Sequence, residues 1–178
     1  MTENFELLRT HLDPATEQEL LALQTECTFC WSTKDGSPMG VTVTFVYYDG
    51  RLWFTVPSDR PRIAAIKRDP RVAVIVASPG TQLGYGKTTT IRGTCRVVTD
   101  EDRKRWLSST LTERLFPDNE AVREKATLML DSTDRVVLEV TPTKSNVTHD
   151  ISDLVQRWAG DDAEARRLLA RGMSARTA

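Results

Sequence analysis

Two Asp-Gly dipeptides, Asp35-Gly36 and Asp49-Gly50, fall between runs of β-forming residues. Such a pair favours the tight turn whose positive φ angles match the twist of the two strands it joins. A strand-like run from Cys27 to Lys34 precedes the first pair. Val41 to Tyr48 lies between the two, and Arg51 to Val56 follows the second. The expectation is an antiparallel meander through the first part of the chain.

That meander leads into Leu52 to Ala77, the stretch with the clearest chemistry. Leu52 to Val56 is β-branched and aromatic, and Pro57 ends it. Ser58 or Asp59 is the expected cap of a short helix, with Pro61 tolerated in the first turn. Ile63 and Ile66 give that helix an apolar side, and Asp69-Pro70 stops it, because a residue before proline avoids helical angles. Val72 to Ala77 is a continuous apolar run, which reads as a strand covered on both faces. The first turn of a helix carries free N–H groups and partial positive charge, so it favours an anion. Arg60 and Arg62 add guanidinium forks suited to phosphate oxygens, with Lys67 a further cation along the helix. The alternative reading is a pair of solvated surface arginines.

The rest of the chain continues the mixed character. A helix is expected over residues 4–24, with Asp13-Pro14 or Thr16 as its start. Lys87 to Thr99 reads as a strand in which Gly93 marks a bulge or a close approach. Asp100-Glu101-Asp102 opens a helix running to about Leu111, and Glu120 to Leu130 forms another. Arg135 to Val140 is the last clear strand, with Ser145 to Thr148 as its extension. Ile151, Leu154, Val155 and Trp158 share one helical face in a C-terminal tail, residues 151–178. The tail is expected to pack on the chain's own sheet or on a second subunit. The whole, residues 1–178, reads as one domain with its core over about 25–150, a small α+β barrel that is mainly β.

Composition narrows the function classes. Lys and Arg number 24 against 25 Asp and Glu, a formal net charge of -1, which argues against a general nucleic-acid binder. No apolar run is long enough to span a bilayer, and the opening Met-Thr-Glu-Asn-Phe-Glu lacks the pattern of a secretion signal. The expected location is cytoplasmic. The three cysteines and two histidines are too few and too scattered for a four-ligand zinc site, so no metal is expected. Cys27 and Cys30 face opposite sides of a strand and read as packing residues.

Two catalytic motifs fail on inspection. Gly80 and Gly86-Lys87-Thr88 have five residues between the glycines where a P-loop has four, and Thr88 to Ile91 is strand-forming where a P-loop turns into a helix. Lys87 and Thr88 remain candidates to contact a phosphate or a ring from a strand. His149-Asp150 is adjacent in sequence only, which makes no catalytic pair.

The ordered set Trp31-Ser-Thr-Lys-Asp-Gly-Ser-Pro38, Asp49-Gly-Arg-Leu-Trp-Phe-Thr55, Arg60-Pro-Arg62 with Asp69-Pro-Arg-Val72, Ile91-Arg-Gly-Thr-Cys-Arg-Val97 and Val140-Thr-Pro142 resembles the pyridoxamine 5′-phosphate oxidase-like superfamily of flavin-binding split barrels. It is most similar to that superfamily's flavin/deazaflavin oxidoreductases. The resemblance covers residues 25 to 150 and implies an antiparallel Greek-key split β-barrel with flanking helices, usually a homodimer. It implies FMN or coenzyme F-420 (8-hydroxy-5-deazaflavin) as cofactor and hydride or electron transfer to a small-molecule substrate. It places Arg60 and Arg62 on the cofactor phosphate, and Val43, Thr44, Thr55, Val56 and Ser58 along the flavin. Thr88 matches a position often held by glutamine near the ring, and Lys87 its basic neighbour. Pro61 stands where many oxidases carry arginine, and the oxidase's Trp/Arg signature is absent after Pro142, which separates this chain from the oxidase in the strict sense. The alternatives are a non-catalytic FMN or deazaflavin storage protein, and a dimeric interaction protein that binds no cofactor.

Overall fold

The computed structural model describes residues 11–143, 146–152 and 163. The fold is α+β and mainly β, the split-barrel class expected. Among the described residues one eight-stranded sheet has the order β2-β1-β5-β6-β7-β4-β3, with β8 joined to β6 off that path. The strands are β1 (Glu26–Ser32), β2 (Pro38–Thr44), β3 (Val46–Tyr48), β4 (Arg51–Pro57), β5 (Arg71–Ala77), β6 (Lys87–Val98), β7 (Arg135–Pro142) and β8 (Val147–Asp150). The helices are α1 (Pro14–Leu23), α2 (Pro61–Arg68), α3 (Glu101–Leu115) and α4 (Glu120–Leu130). The chain groups into two compact units.

The larger unit takes Thr25–Val74 and Ile91–Ser145. Its two hairpins turn at the two Asp-Gly pairs, in different ways. Asp49 and Gly50 have φ 52° and 69°, the two positive angles of a two-residue primed turn, whereas in the first hairpin only Gly36 is positive, φ 85°, closing a three-residue loop in which the Gly36 amide donates to the Thr33 carbonyl at 3.1 Å and the Thr33 amide to the Ser37 carbonyl at 2.9 Å. β1 pairs antiparallel with β2, placing Cys30 opposite Gly40. β4 pairs with β3 on one side and β7 on the other. Phe29, Phe45 and Phe54 are all fully buried and pack ring on ring, with centroids 5.2 and 6.3 Å apart. On the other face of β4, Val46, Trp53, Leu107, Leu111 and Val137 form a second cluster beneath α3. Asp100 caps α3 by accepting the Arg103 amide, and α3 continues to Leu115, a turn beyond the expected end. Gly93 answers a close approach rather than a bulge: it stays in register with Pro142, and a Cβ there would lie 2.6 Å from the Thr141 carbonyl oxygen.

The smaller unit, among the described residues, takes those up to Gln24, Ile75–Thr90 and those from Asn146 on. Asp13 caps α1, accepting the amides of Ala15 and Thr16 at 3.0 Å each. The helix begins at Pro14, the Asp13-Pro14 start named from sequence, while residues 11–13, inside the broader 4–24 span expected, are not helical. Glu17 on α1 accepts from the Thr89 hydroxyl and the Asn146 amide, both at 2.6 Å. β8 pairs antiparallel with the first residues of β6.

Four further expectations are corrected. Val41 to Tyr48 is two strands: β2 follows β1, then the buried Phe45 breaks the run and β3 turns to β4. The Phe45 amide donates to the Thr25 carbonyl at the crossover. The cap of α2 is Arg60, without a side-chain cap bond, rather than Ser58 or Asp59. β5 is covered on one face only; Val72, Val74 and Val76 are buried while Ile75 is 37% exposed. Residues 147–150 are a separate strand on β6 and do not extend β7. Leu154, Val155 and Trp158, named for the tail helix, lie outside the described residues.

Candidate functional site

A groove of about 560 Å³ opens in the larger unit. Its walls are the β1–β2 hairpin (Trp31, Met39, Val41, Val43, Thr44), the end of β4 (Thr55, Val56, Pro57), the start of α2 (Arg60, Pro61, Arg62) and the start of β7 (Arg135). Valines, Met39 and Trp31 make one side apolar. Three guanidiniums make the other side cationic, and no carboxylate is among the lining residues.

Local sequence explains why the arginines converge. Pro57 ends β4, and the chain turns at once into α2, with Pro61 as the first helical residue. The Arg60 amide bonds the Pro57 carbonyl at 3.3 Å, so the turn is tight. Arg60 and Arg62 therefore fall on the first turn, beside amides that no side chain caps. Arg135 arrives by strand register: β7 places it directly across from Pro57. The Ser58 amide donates to the Asp134 carbonyl at 2.7 Å and holds the two segments together.

The arginines differ in their surroundings. Arg60 is exposed. Arg62 is half-buried, its guanidinium 6.0 Å from the Trp31 ring centroid. Its Nε is buried and has no hydrogen-bond partner among the described residues. Burial first, then the charges of Arg60 and Arg135, push its pKa below the usual arginine value. Arg135 donates from Nε to the Thr55 hydroxyl and from Nη2 to the Thr55 carbonyl, both at 3.1 Å. Burial lowers its pKa, with Asp134 opposing and Arg60 adding to the effect. A buried N–H donor without an acceptor, inside a set of mutually repelling cations, is a place for an anion with several oxygens.

Six of the ten residues singled out from sequence line this groove: Arg60, Arg62, Val43, Thr44, Thr55 and Val56. Ser58 is exposed on the turn beside it and lends only its backbone amide to Asp134. Lys67 is exposed on the last turn of α2. It lies five positions after Arg62, which puts the two on different sides of the helix. Lys87 and Thr88 belong to the smaller unit. There Lys87 Nζ bonds the Ser152 hydroxyl at 2.7 Å and pairs with Asp150 at 3.6 Å, while Thr88 stands opposite His149. Arg135, Trp31 and Met39 also line the groove, outside the ten residues that the sequence points to. An arginine opening a strand gives no local signal, since only the β4–β7 register brings it to the first turn of α2.

Outside the groove, no group of three or more His, Cys, Asp or Glu side chains among the described residues is arranged to hold a metal. No helix among them is long and apolar enough to cross a membrane.

An antiparallel sheet of this order, with a cationic turn between a strand and a short helix, defines a split-barrel protein. The family profile described as pyridoxamine 5′-phosphate oxidase matches residues 14–149, and the chain belongs to that family. A conserved hypothetical protein of Mycobacterium tuberculosis has a similar structure, with TM-score 0.66 at 16% identity over 78% of this chain and 85% of its own. A structure named as an F-420 reductase is 26% identical, with TM-score 0.53, over 71% of this chain and 93% of its own. A FAD-binding protein of Mesorhizobium loti is 17% identical, with TM-score 0.58, over 78% and 95%. No curated protein matches the sequence.

Proposed function

We propose that this chain is an oxidoreductase that uses a flavin-type cofactor, FMN or coenzyme F-420, to transfer hydride or electrons to a small-molecule substrate. The observation that carries the reading is the groove. Arg60 and Arg62 would hold the cofactor phosphate on the first turn of α2, beside the unpartnered Nε of Arg62. The apolar wall of Val41, Val43, Val56 and Trp31 suits one face of an isoalloxazine or deazaflavin ring and keeps water from it. When bound, the cofactor supplies the redox chemistry, and the protein supplies anchoring and orientation. Similarity to a structure named as an F-420 reductase supports the same class.

A homodimer in the cytoplasm completes the proposal. Met39, on the rim of the groove, is 46% exposed, an apolar contact that a second copy would cover. The competing reading is a storage or carrier protein with the same groove and no turnover.

Absorbance and fluorescence titrations of the purified protein with FMN and with coenzyme F-420 test binding. Steady-state oxidation of the reduced cofactor by a small electron acceptor tests catalysis. Saturable binding with turnover is the expected result. Binding without turnover selects the storage reading, and no binding of either cofactor overturns both.

A further inference from the structure

We propose that Arg135, brought to the groove by β7, completes a three-guanidinium seat that selects a terminal phosphomonoester, and so FMN over phosphodiester cofactors such as FAD and coenzyme F-420. The inference rests on the flavin reading above and adds a residue and a rule of choice to it.

Three observations carry it. First, Arg135 comes from a different element than Arg60 and Arg62, so an anion in the groove would be met from the strand side as well as from the helix. Register fixes this approach, because Arg135 faces Pro57 across the β4–β7 ladder and the adjacent Asp134 carbonyl holds the Ser58 amide at 2.7 Å. Second, Thr55 positions the guanidinium without using it up. Nε and Nη2 are engaged by the Thr55 hydroxyl and carbonyl at 3.1 Å each, and Nη1 takes part in neither bond. The planar guanidinium is thus held in place on the groove that Arg62 also lines. Third, no lining carboxylate offsets the three charges. Cations held this close repel one another until an anion arrives, and an anion of higher charge relieves more of that repulsion.

The charge of the ligand then decides. A phosphomonoester carries about −1.5 to −2 charges at pH 7 and offers three terminal oxygens. A phosphodiester carries one negative charge per phosphorus and offers two free oxygens there. Three guanidiniums fit the first better than the second, both in charge and in the number of acceptors. FMN ends in a monoester. In FAD and coenzyme F-420 each phosphorus is bridged on both sides.

The test compares dissociation constants for FMN, riboflavin, FAD and coenzyme F-420, read by flavin or deazaflavin fluorescence, in the wild type, Arg135→Met and Arg135→Lys. The wild type is expected to bind FMN at least about tenfold more tightly than either diester, since one charge-assisted bond is worth roughly that factor. Arg135→Met is expected to weaken FMN about tenfold or more and to leave riboflavin within about twofold. Arg135→Lys, which keeps the charge, is expected to recover part of the FMN preference. Circular dichroism checks that each variant folds, and if Arg135→Met does not, the ligand series on the wild type and Arg135→Lys still decides. Equal or tighter binding of coenzyme F-420 or FAD overturns the proposal while leaving the flavin reading intact. So does equal weakening of FMN and riboflavin in Arg135→Met, which would make Arg135 only a clasp on Thr55. Failure of the wild type to bind any of the four ligands removes the flavin reading itself.

Discussion

Replacing Arg62 with methionine is expected to make the ligand-free protein more stable and the ligand-bound protein less so. Arg62 Nε is buried without a partner, and an unsatisfied buried polar group costs about 1–3 kcal/mol. Methionine removes that cost and the repulsion from Arg60 and Arg135. It gives up the contact with Trp31, whose centroid lies 6.0 Å away and which is worth about 0.5–1 kcal/mol at a partly exposed site. A thioether against the indole restores some of this. The net is a gain of about 1 kcal/mol, or roughly 2–4 °C in melting temperature for a chain of this size. With saturating FMN the order should reverse, because the ligand stabilises each protein in proportion to the logarithm of its affinity, and the variant lacks one charge-assisted bond worth about 1.5–3 kcal/mol. Differential scanning fluorimetry with and without FMN reads both effects. A variant that melts lower without ligand and gains as much from FMN as the wild type would refute the reasoning. Arg62 would then be a structural residue rather than a group held ready for an anion.

Two further outcomes follow from the packing. Gly93→Ala is expected to destabilise the protein by about 2 kcal/mol or more, since a Cβ would meet the Thr141 carbonyl at 2.6 Å and the Val140 side chain at 2.8 Å, and backbone on a paired strand cannot yield cheaply; urea denaturation measures it. Cys27 and Cys95 are expected to resist a thiol reagent at pH 8 until the protein is unfolded, because burial pushes both thiols up, Cys95 to about 12. Their folded pKa values lie above that of a free thiol, about 8.5, so their stabilisation is complete below pH of about 8.5 and is lost as pH rises toward 12. A denaturation midpoint that does not fall between pH 8 and pH 11 would contradict this.

Much of the fold was written locally. The Asp-Gly pairs set both hairpins, Asp69-Pro70 ended α2, and Asp13-Pro14 began α1, each because a short run of residues decides its own backbone angles. What depended on distant partners was less legible. Nothing between Val41 and Tyr48 marks Phe45 as the place where pairing shifts from β1 to β4, since every residue there except the turn-flanking tyrosine suits one strand as well as two. The one-sided cover of β5 is likewise invisible in Val72–Ala77, whose small Ala73 and exposed Ile75 look as apolar as their neighbours. The groove divides the same way. Arg60 and Arg62 were visible because a helix start and two arginines lie within three residues. Arg135 was not, because its place follows from the β4–β7 register. Lys67 drew attention by charge and nearness in sequence, yet the helical repeat carries it to another side of α2.

A crystal structure of the protein soaked or co-crystallised with FMN is expected to show a phosphate among the guanidiniums at the start of α2. Phosphate oxygens should lie within roughly 2.7–2.9 Å of Arg60 and Arg62 nitrogens, the spacing of charge-assisted bonds, with the isoalloxazine ring against Val41, Val43 and Trp31. FMN bound with its phosphate in open solvent, or at any place other than this groove, would contradict this placement.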